Sequence, residues 1–293
     1  MPVPPAAPPS PTAPSPHPPR HRLLLFTKPP AAGRVKTRLI GDLTAEQAAE
    51  LHAAFLDDLL ARLRPGRFEL VLAWALEPGE ELPSGPLPAL RQRGRGLGER
   101  LHGALADAAR EAAVVAAVGS DHPTLDLERV HRAFAAVETG AQVVLGPAED
   151  GGYYLIALAA SAVSRRLFAG IPWSTGRVLA ATLERCRELD LRVELLPAAA
   201  DVDTPEDLAR LATCLAREGG GDGAAAAGNP GGASGPSCPR TRALLARWQR
   251  LPAGAAGPAA APGEAPIAAS AGSRGRGGGV IAVGKPVEKR IGR

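Results

Sequence analysis

Four cations surround a glycine in residues 26–38, directly after the first apolar run of the chain. Around Gly33 the segment carries Lys28, Arg34, Lys36 and Arg38. Arginine can bind a phosphate through two parallel hydrogen bonds, and lysine supplies a point charge. Glycine lets the backbone approach a ligand or turn through positive φ. The segment predicts a polyphosphate-binding loop, with a solvated charged loop as the alternative. It is not a Walker A loop, because no glycine directly precedes Lys36.

Carboxylates in two distant segments could hold a divalent cation. Asp121 ends Gly-Ser-Asp after a predicted strand, and Asp203 lies in Asp-Val-Asp-Thr-Pro-Glu-Asp at 201–207. Mg²⁺ takes one or two carboxylates and completes its shell with phosphates and water, and Mn²⁺ also accepts oxygen ligands. Asp121 could instead cap the helix expected near residue 125. Capping explains the residues after Asp203 but does not need Asp203 itself. Both aspartates are therefore predicted metal ligands for Mg²⁺ or Mn²⁺.

Two further segments could bind an acceptor. Glu149, Asp150, Gly151 and Gly152 interrupt an apolar pattern, and a turn between strands explains the glycines. The acids could bind an acceptor hydroxyl, with Asp150 as a candidate general base. Trp173 and Ser174 precede a capped helix, where the aromatic ring either packs as a hydrophobic staple or lines the acceptor pocket. His122, beside Asp121, is interpreted as a structural residue.

Alternating strands and helices must position these segments. Apolar runs predict strands at 21–27, 68–75, 114–118, 142–145, 153–158 and 192–196. Helices are predicted at 44–63, 97–111, 125–137, 175–189 and 205–216. This alternation is typical of a mostly parallel sheet with helices on both faces. Ligands of such sheets bind beyond the carboxyl ends of the strands, where all of these segments fall.

Composition divides the chain into three parts. Residues 1–20 form a proline-rich arm, and residues 218–293 are rich in Gly, Ala, Pro and Arg. Both are predicted to be disordered, because they contain too few large apolar side chains to offset the ordering entropy. One domain, residues 22–216, remains.

Charge and apolar content limit the partners and the location. Residues 22–216 are acidic on balance, so the pI near 9.3 reflects the termini, and nucleic acid is not an expected partner. The longest aliphatic run, 112–118, is far too short to span a membrane. The start of the chain lacks the apolar core of a signal peptide. A cytoplasmic protein is expected.

The chain resembles a bacterial family of nucleotide-diphospho-sugar transferase-like proteins of the arsenosugar-biosynthesis glycosyltransferase type, relatives of the phospholactate guanylyltransferases. The resemblance covers residues 22–214. It is carried by Phe26-x-Lys28-x-Pro-x-x-Gly33-x-Val-Lys36-Thr-Arg38-Leu, Leu97-Gly-Glu-Arg100, Gly119-Ser-Asp121-x-Pro123-x-Leu, Gly146-Pro-x-x-Asp150-Gly-Gly-Tyr-Tyr-Leu, Ile171-Pro-Trp-Ser-Thr175 and Asp201-x-Asp203-Thr-Pro-x-Asp-Leu.

This resemblance implies a GT-A type fold, a three-layer α/β/α sandwich with a mostly parallel mixed sheet. It also implies a nucleotide bound over the first strand and a Mg²⁺ or Mn²⁺ near Asp121, with Asp203 as the second ligand.

Three functions are compatible with these residues. The leading hypothesis is a metal-dependent glycosyltransferase that uses a nucleoside diphosphate sugar and a small-molecule acceptor. The cationic loop would hold the phosphates, and Asp150 the acceptor. A guanylyl- or cytidylyltransferase-like enzyme that releases pyrophosphate is the second, and a non-catalytic nucleotide-binding module is the third. The high positive charge of the first loop favours a triphosphate substrate and hence the nucleotidyltransferase.

Overall fold

A computed structural model describes residues 21–219 and 238–252. The strands are β1 (His21–Thr27), β2 (Glu69–Trp74), β3 (Ala89–Arg91), β4 (Val114–Gly119), β5 (Val143–Pro147), β6 (Tyr153–Ala159) and β7 (Val193–Leu195). The helices are α1 (Ala45–Leu63), α2 (Leu97–Ala108), α3 (Leu127–Glu138), α4 (Arg165–Phe168), α5 (Val178–Glu188), α6 (Pro205–Gly219) and α7 (Pro239–Arg247). Short 3-10 turns lie at Thr37–Leu39 and Ala160–Ala162.

All seven strands form one mixed sheet in the order β3-β2-β1-β4-β6-β5-β7. β1 is parallel to both β2 and β4, and β6 runs antiparallel to β4 and β5. The β1–β4 pairing sets Phe26 opposite Gly119, so the loops that follow these two strands leave the sheet side by side.

Helices cover both faces of the sheet. Leu23 and Leu25 of β1 join α1 and α3 in one apolar core, whereas Leu24 points to the other face and packs with α2, α4 and α5. This alternation follows from the two-residue repeat of a strand buried on both sides. The predicted three-layer α/β/α sandwich with a mostly parallel mixed sheet is confirmed.

The helix boundaries reflect local sequence. α1 begins with a capping box, in which Thr44 and Gln47 satisfy each other's backbone N–H groups. The strands β1, β2, β4, β5, β6 and β7 all fall on predicted segments. β3 and α4 were not predicted, because elements of three and four residues are too short to show a periodicity. Across the described ranges, no helix has both the length and the apolar content needed to cross a membrane.

A helix also lies within the segment predicted to be a disordered tail. α7 packs against α1 and α6, where Leu244 and Leu245 join an apolar cluster that contains Phe55. The buried carboxylate of Asp58 accepts hydrogen bonds from the backbone N–H groups of Arg240 and Thr241. Composition averaged over residues 218–293 concealed this short apolar stretch. The predicted arm 1–20, and the rest of the predicted tail apart from residues 218–219 and 238–252, lie outside the described residues.

Candidate active site

Three loops meet at the carboxyl ends of β1 and β4. The Ser120 N–H donates to the Phe26 carbonyl (3.1 Å), which joins the end of β4 to β1. The Val202 N–H donates to the Asp121 carbonyl (3.0 Å), which joins the loop before α6 to the same point. Asp121 and Asp203, which are far apart in sequence, are therefore brought together as the sequence predicts.

The Lys36 ammonium lies between the two carboxylates. Its Nζ is 2.5 Å from Asp121 Oδ1 and 3.2 Å from Asp203 Oδ1, and it donates to the Val202 carbonyl at 2.6 Å. The Lys36 side chain is 1 % exposed, and the Phe55 ring lies below it at 5.3 Å. Its backbone is left-handed, with φ 47°. That conformation is uncommon for a residue with a β-carbon.

Neither carboxylate is used to cap a helix. Asp126 Oδ1 accepts from the Arg129 N–H (2.7 Å) and caps α3, so the alternative role predicted for Asp121 belongs to Asp126. At α6, Asp207 Oδ2 accepts from the N–H groups of Asp203 and Thr204. The Asp203 carboxylate instead contacts Lys36, and lies 3.9 Å from Arg38 Nη1.

Charges around Asp121 and Asp203 shift several pKa values. Desolvation opposes ionisation of Asp121, but the neighbouring positive charges, with Lys36 as the largest contributor, together outweigh it and lower the pKa of Asp121. Burial and the charge of Asp121 raise the pKa of Asp203. Burial, together with the neighbouring charges of Asp203 and Asp150, raises the pKa of Asp201 to about 6. Carboxylates that lie close together therefore raise the pKa values of Asp201 and Asp203, whereas the nearby cations lower that of Asp121.

The donor atoms fit a divalent ion that needs few protein ligands. The Asp121 side chain is 49 % exposed and that of Asp203 is 19 % exposed, so carboxylate oxygen is accessible to solvent. Within residues 21–219 and 238–252, no three His, Cys, Asp or Glu side chains are grouped as a metal site. Two hard oxygen ligands suit Mg²⁺, which relies on phosphates and water for the rest of its shell.

The cations of the predicted phosphate loop contact different partners. Arg34 forms an ion pair with Glu80 and lies 3.5 Å from Glu77, in the loop after β2. Burial lowers the pKa of Lys28, and the charges of Arg100 and Arg34 add to this effect. Arg100, on the first turns of α2, is thus a cation near Lys28 to which sequence reasoning gave no role.

Gly33 lies in the left-handed region (φ 75°), and open space surrounds the position where a side chain would start. Its conformation supplies the turn of the loop. Arg38 is exposed and borders the Asp203 carboxylate.

The predicted acceptor residues lie on two loops that contact each other. The Gly151 carbonyl accepts from the Leu179 N–H (2.9 Å), and a β-carbon on Gly151 would lie 2.2 Å from the Gly176 carbonyl oxygen. Asp150 Oδ1 accepts from the Gly152 N–H (2.8 Å), and Glu149 is exposed, 3.9 Å from Arg210. Both acids are exposed to solvent.

The Trp173 ring packs against Tyr153 and Gly98. It meets Tyr153 edge-on at 6.3 Å, and its Nε1 lies so close to Gly98 of α2 that a β-carbon there would be 2.5 Å away. The ring is half-buried. Ser174 next to it has φ 64°, and this strained turn aims the loop towards α5.

Two buried histidines hydrogen-bond to the loops that carry Lys28 and Ala200. His52 of α1 is 3 % exposed, and its Nε2 lies 3.1 Å from the Lys28 carbonyl and 3.2 Å from Thr27 Oγ1. His122 Nδ1 donates to the Ala200 carbonyl at 2.5 Å. Burial lowers the pKa of each histidine to about 4, so both are neutral near pH 7. His52 lies in the apolar stripe of α1, and this position is the sequence signal that could have predicted a buried histidine there.

Comparison with known structures identifies the class of fold. A proposed nucleotide-diphospho-sugar transferase from Desulfovibrio desulfuricans G20 superposes with a TM-score of 0.67 and 29% sequence identity, over 78% of this chain and 95% of that one. The seven-stranded mixed sheet, flanked by helices, is thus the nucleotide-diphospho-sugar transferase fold.

A family match and two more distant structures accompany this similarity. Residues 49–175 match the bacterial family described as "Uncharacterized protein conserved in bacteria" (DUF2064). A cytidylyltransferase from Leptospira borgpetersenii is 14% identical, with a TM-score of 0.44 over 68% of this chain and 87% of that one. The molybdopterin-guanine dinucleotide biosynthesis protein A of Archaeoglobus fulgidus is 16% identical, with a TM-score of 0.42 over 64% and 95%. No curated protein matches the sequence.

Proposed function

We propose that the protein is a metal-dependent transferase that uses a nucleotide-activated donor, with a nucleoside diphosphate sugar as the leading candidate. The observation that carries the proposal is the convergence of Asp121 and Asp203 on Lys36, at the carboxyl ends of β1 and β4. The similarity to a proposed nucleotide-diphospho-sugar transferase supports the same class. The finer resemblance to arsenosugar-type glycosyltransferases stays a prediction.

The cations of the first loop would bind the phosphates of the donor. Lys28 lies next to β1, and its charge interacts with those of Asp121, Arg34 and Arg100. Arg38 is exposed at the side of Asp203. An anionic diphosphate between these groups would relieve the repulsion among the cations. The ordered loop also fixes the donor before reaction, which lowers the entropic barrier of transfer.

Asp121 and Asp203 would hold one Mg²⁺ or Mn²⁺ against the donor diphosphate. When bound, such an ion stabilises the charge that develops on a leaving diphosphate. The ionised state of Asp121, which Lys36 favours, keeps its oxygens available as ligands near pH 7.

Asp150 is the proposed acceptor-binding residue. It is exposed, within electrostatic reach of Asp201, and fixed by its hydrogen bond to the Gly152 N–H. From this position its carboxylate would accept a hydrogen bond from an acceptor hydroxyl, and take the proton as the hydroxyl attacks. Glu149, Gly151, Gly152, Trp173 and Ser174 would shape the same side of the pocket.

The test is donor consumption by the full chain, assayed with a panel of UDP- and GDP-sugars with Mn²⁺ or Mg²⁺. We expect turnover that EDTA abolishes, and that Asp121→Asn reduces by at least a hundredfold. Asp126→Asn is the matched control, because it alters a carboxylate five positions away that caps α3 and pairs with Arg129 rather than with Lys36, and it should retain near-native turnover. Metal-independent turnover, or full activity of Asp121→Asn, would remove the metal assignment.

Nucleotidyl transfer is the second candidate. The grouping of Lys28, Arg34 and Arg100 favours it, because a triphosphate carries more charge than a sugar diphosphate. In that reaction a phosphate-bearing acceptor attacks the α-phosphate of GTP or CTP, the bond between the α- and β-phosphates breaks, and pyrophosphate leaves. Pyrophosphate release with an acceptor phosphate, without consumption of any nucleotide sugar, would establish it over glycosyl transfer.

A further inference from the structure

The Lys36 ammonium has no hydrogen left for a ligand. A protonated lysine has three N–H donors and no acceptor. In this structure the three acceptors around Nζ are Asp121 Oδ1, Asp203 Oδ1 and the Val202 carbonyl, at 2.5, 3.2 and 2.6 Å. A phosphate would have to replace one of these partners. The sequence-based prediction that Lys36 holds phosphate therefore requires breaking an existing bond.

The burial of the three groups shows which of them face solvent. Only 1 % of the Lys36 side chain is exposed, against 49 % for Asp121 and 19 % for Asp203. The ammonium thus approaches the carboxylates from the protein interior, over the Phe55 ring. An ion arriving from solvent would meet the outer side of Asp121 first.

The backbone at Lys36 holds this arrangement in place. A left-handed residue with a β-carbon is less favourable than a right-handed one, and Lys36 has φ 47° and ψ 37° at the start of the Thr37–Leu39 turn. Its three polar contacts supply the compensation. Such strain at a functional position indicates that the direction of the side chain is required.

We propose that Lys36 is a built-in counterion that positions Asp121 and Asp203, rather than a phosphate ligand, and that it restricts the site to one divalent ion on the solvent-facing side of these two carboxylates. The inference rests on the proposed metal-dependent function, and it assigns the place between the two carboxylates to the lysine. The carboxylates stay close together because a cation is always present between them.

Removing this charge should strengthen metal binding. In Lys36→Met both carboxylates lose an internal cation and become available to an ion, and the repulsion between Lys36 and a bound dication disappears. We expect the full-length variant to bind Mn²⁺ at least tenfold more tightly than the native protein without any nucleotide, as measured by the loss of the free Mn²⁺ signal in electron paramagnetic resonance. A lysine that contacts only phosphate would leave this affinity unchanged.

Arg34→Met is the matched control, because it removes one charge from the same loop at a residue paired with Glu77 and Glu80. Its Mn²⁺ affinity should stay within twofold of native. A destabilised fold would weaken metal binding, so tighter binding cannot result from structural damage. If Lys36→Met does not fold, Lys36→Gln, which keeps a hydrogen-bond donor without the charge, is measured instead and the same result is expected.

Unchanged or weaker Mn²⁺ binding by the Lys36 variant overturns the inference. Two failures are distinguishable. If the native protein turns over a nucleotide donor with Mn²⁺ while the variant gains no affinity, only the role of Lys36 is wrong. If neither protein binds Mn²⁺, with or without a nucleotide, the metal-dependent function is wrong as well.

Discussion

Replacing Asp58 by alanine should release α7 from the rest of the domain. The Asp58 carboxylate is 2 % exposed and accepts three hydrogen bonds at the start of α7. They come from the Arg240 N–H (2.9 Å), the Thr241 N–H (2.9 Å) and Thr241 Oγ1 (2.7 Å). It thus caps a helix from a different part of the chain. Alanine would leave two backbone N–H groups and one hydroxyl without this acceptor.

The magnitude follows from these three bonds. Loss of a helix cap costs about 0.5–2 kcal/mol, and a hydrogen bond to a charged group is worth roughly 1.5–3 kcal/mol. Water can reach part of the freed groups once α7 moves, so we expect a combined loss of about 3 kcal/mol in the docking of α7. A loss of that size corresponds to about two orders of magnitude in the closing equilibrium.

Hydrogen exchange followed by mass spectrometry measures this equilibrium directly. Peptides that cover residues 238–252 should exchange about a hundredfold faster in Asp58→Ala, while peptides from β1 and β4 should keep their native rates. Glu46→Ala is the control, since Glu46 is an exposed acid in the first turn of the same helix, α1. Native exchange rates at 238–252 in Asp58→Ala would refute the reasoning that Asp58 holds α7.

Two further predictions concern the supports of the site. Gly98→Ala should destabilise the protein by roughly 1–3 kcal/mol through overpacking, because its β-carbon would lie 2.5 Å from Trp173 Nε1, whereas Gly103→Ala on the same helix meets its nearest atom at 3.8 Å. Gly103→Ala is the control and should be neutral or stabilise the protein by up to about 1 kcal/mol. Equal melting temperatures for Gly98→Ala and Gly103→Ala would contradict the overpacking argument. Folding lowers the pKa of His52 to about 4, so the folded state favours the neutral ring. The free energy of unfolding is therefore unaffected by His52 protonation above the unfolded pKa of about 6.5, and it decreases as the pH falls from about 6.5 to 4. Between pH 7 and 5, urea unfolding should show the native protein losing about 2 kcal/mol more than His52→Gln, and parallel pH profiles would disprove it.

The fold was largely predictable because its main elements carry strong periodicity. β1 and β4 are continuous apolar runs, and α1 has both an apolar stripe and a capping box. α7 was not predictable in the same way. Its stability depends on the distant Asp58 carboxylate and on an apolar surface formed by α1 and α6, and neither is visible in local composition.

The site was predictable in its location but not in its internal contacts. Asp121 directly follows β4. β7, which precedes Asp203, lies three strands away in the sheet, and the segment 196–202 runs back past β5 before the Val202 N–H bonds to the Asp121 carbonyl. The loop cations look equivalent in the sequence. In the structure the left-handed backbone of Lys36 turns its side chain inward, and Arg34 is ion-paired to acids of the loop after β2. Such differences depend on backbone conformation and on neighbours from other elements.

The position of α7 has a practical consequence for anyone who shortens this protein. Residue 216 is an attractive place to truncate, because a long glycine- and alanine-rich stretch follows it. A protein shortened there would lack α7 and leave Phe55 and its apolar neighbours on α1 and α6 without their cover. Exposed apolar surfaces of that kind promote self-association, so recombinant fragments that retain residues 238–252 should aggregate less.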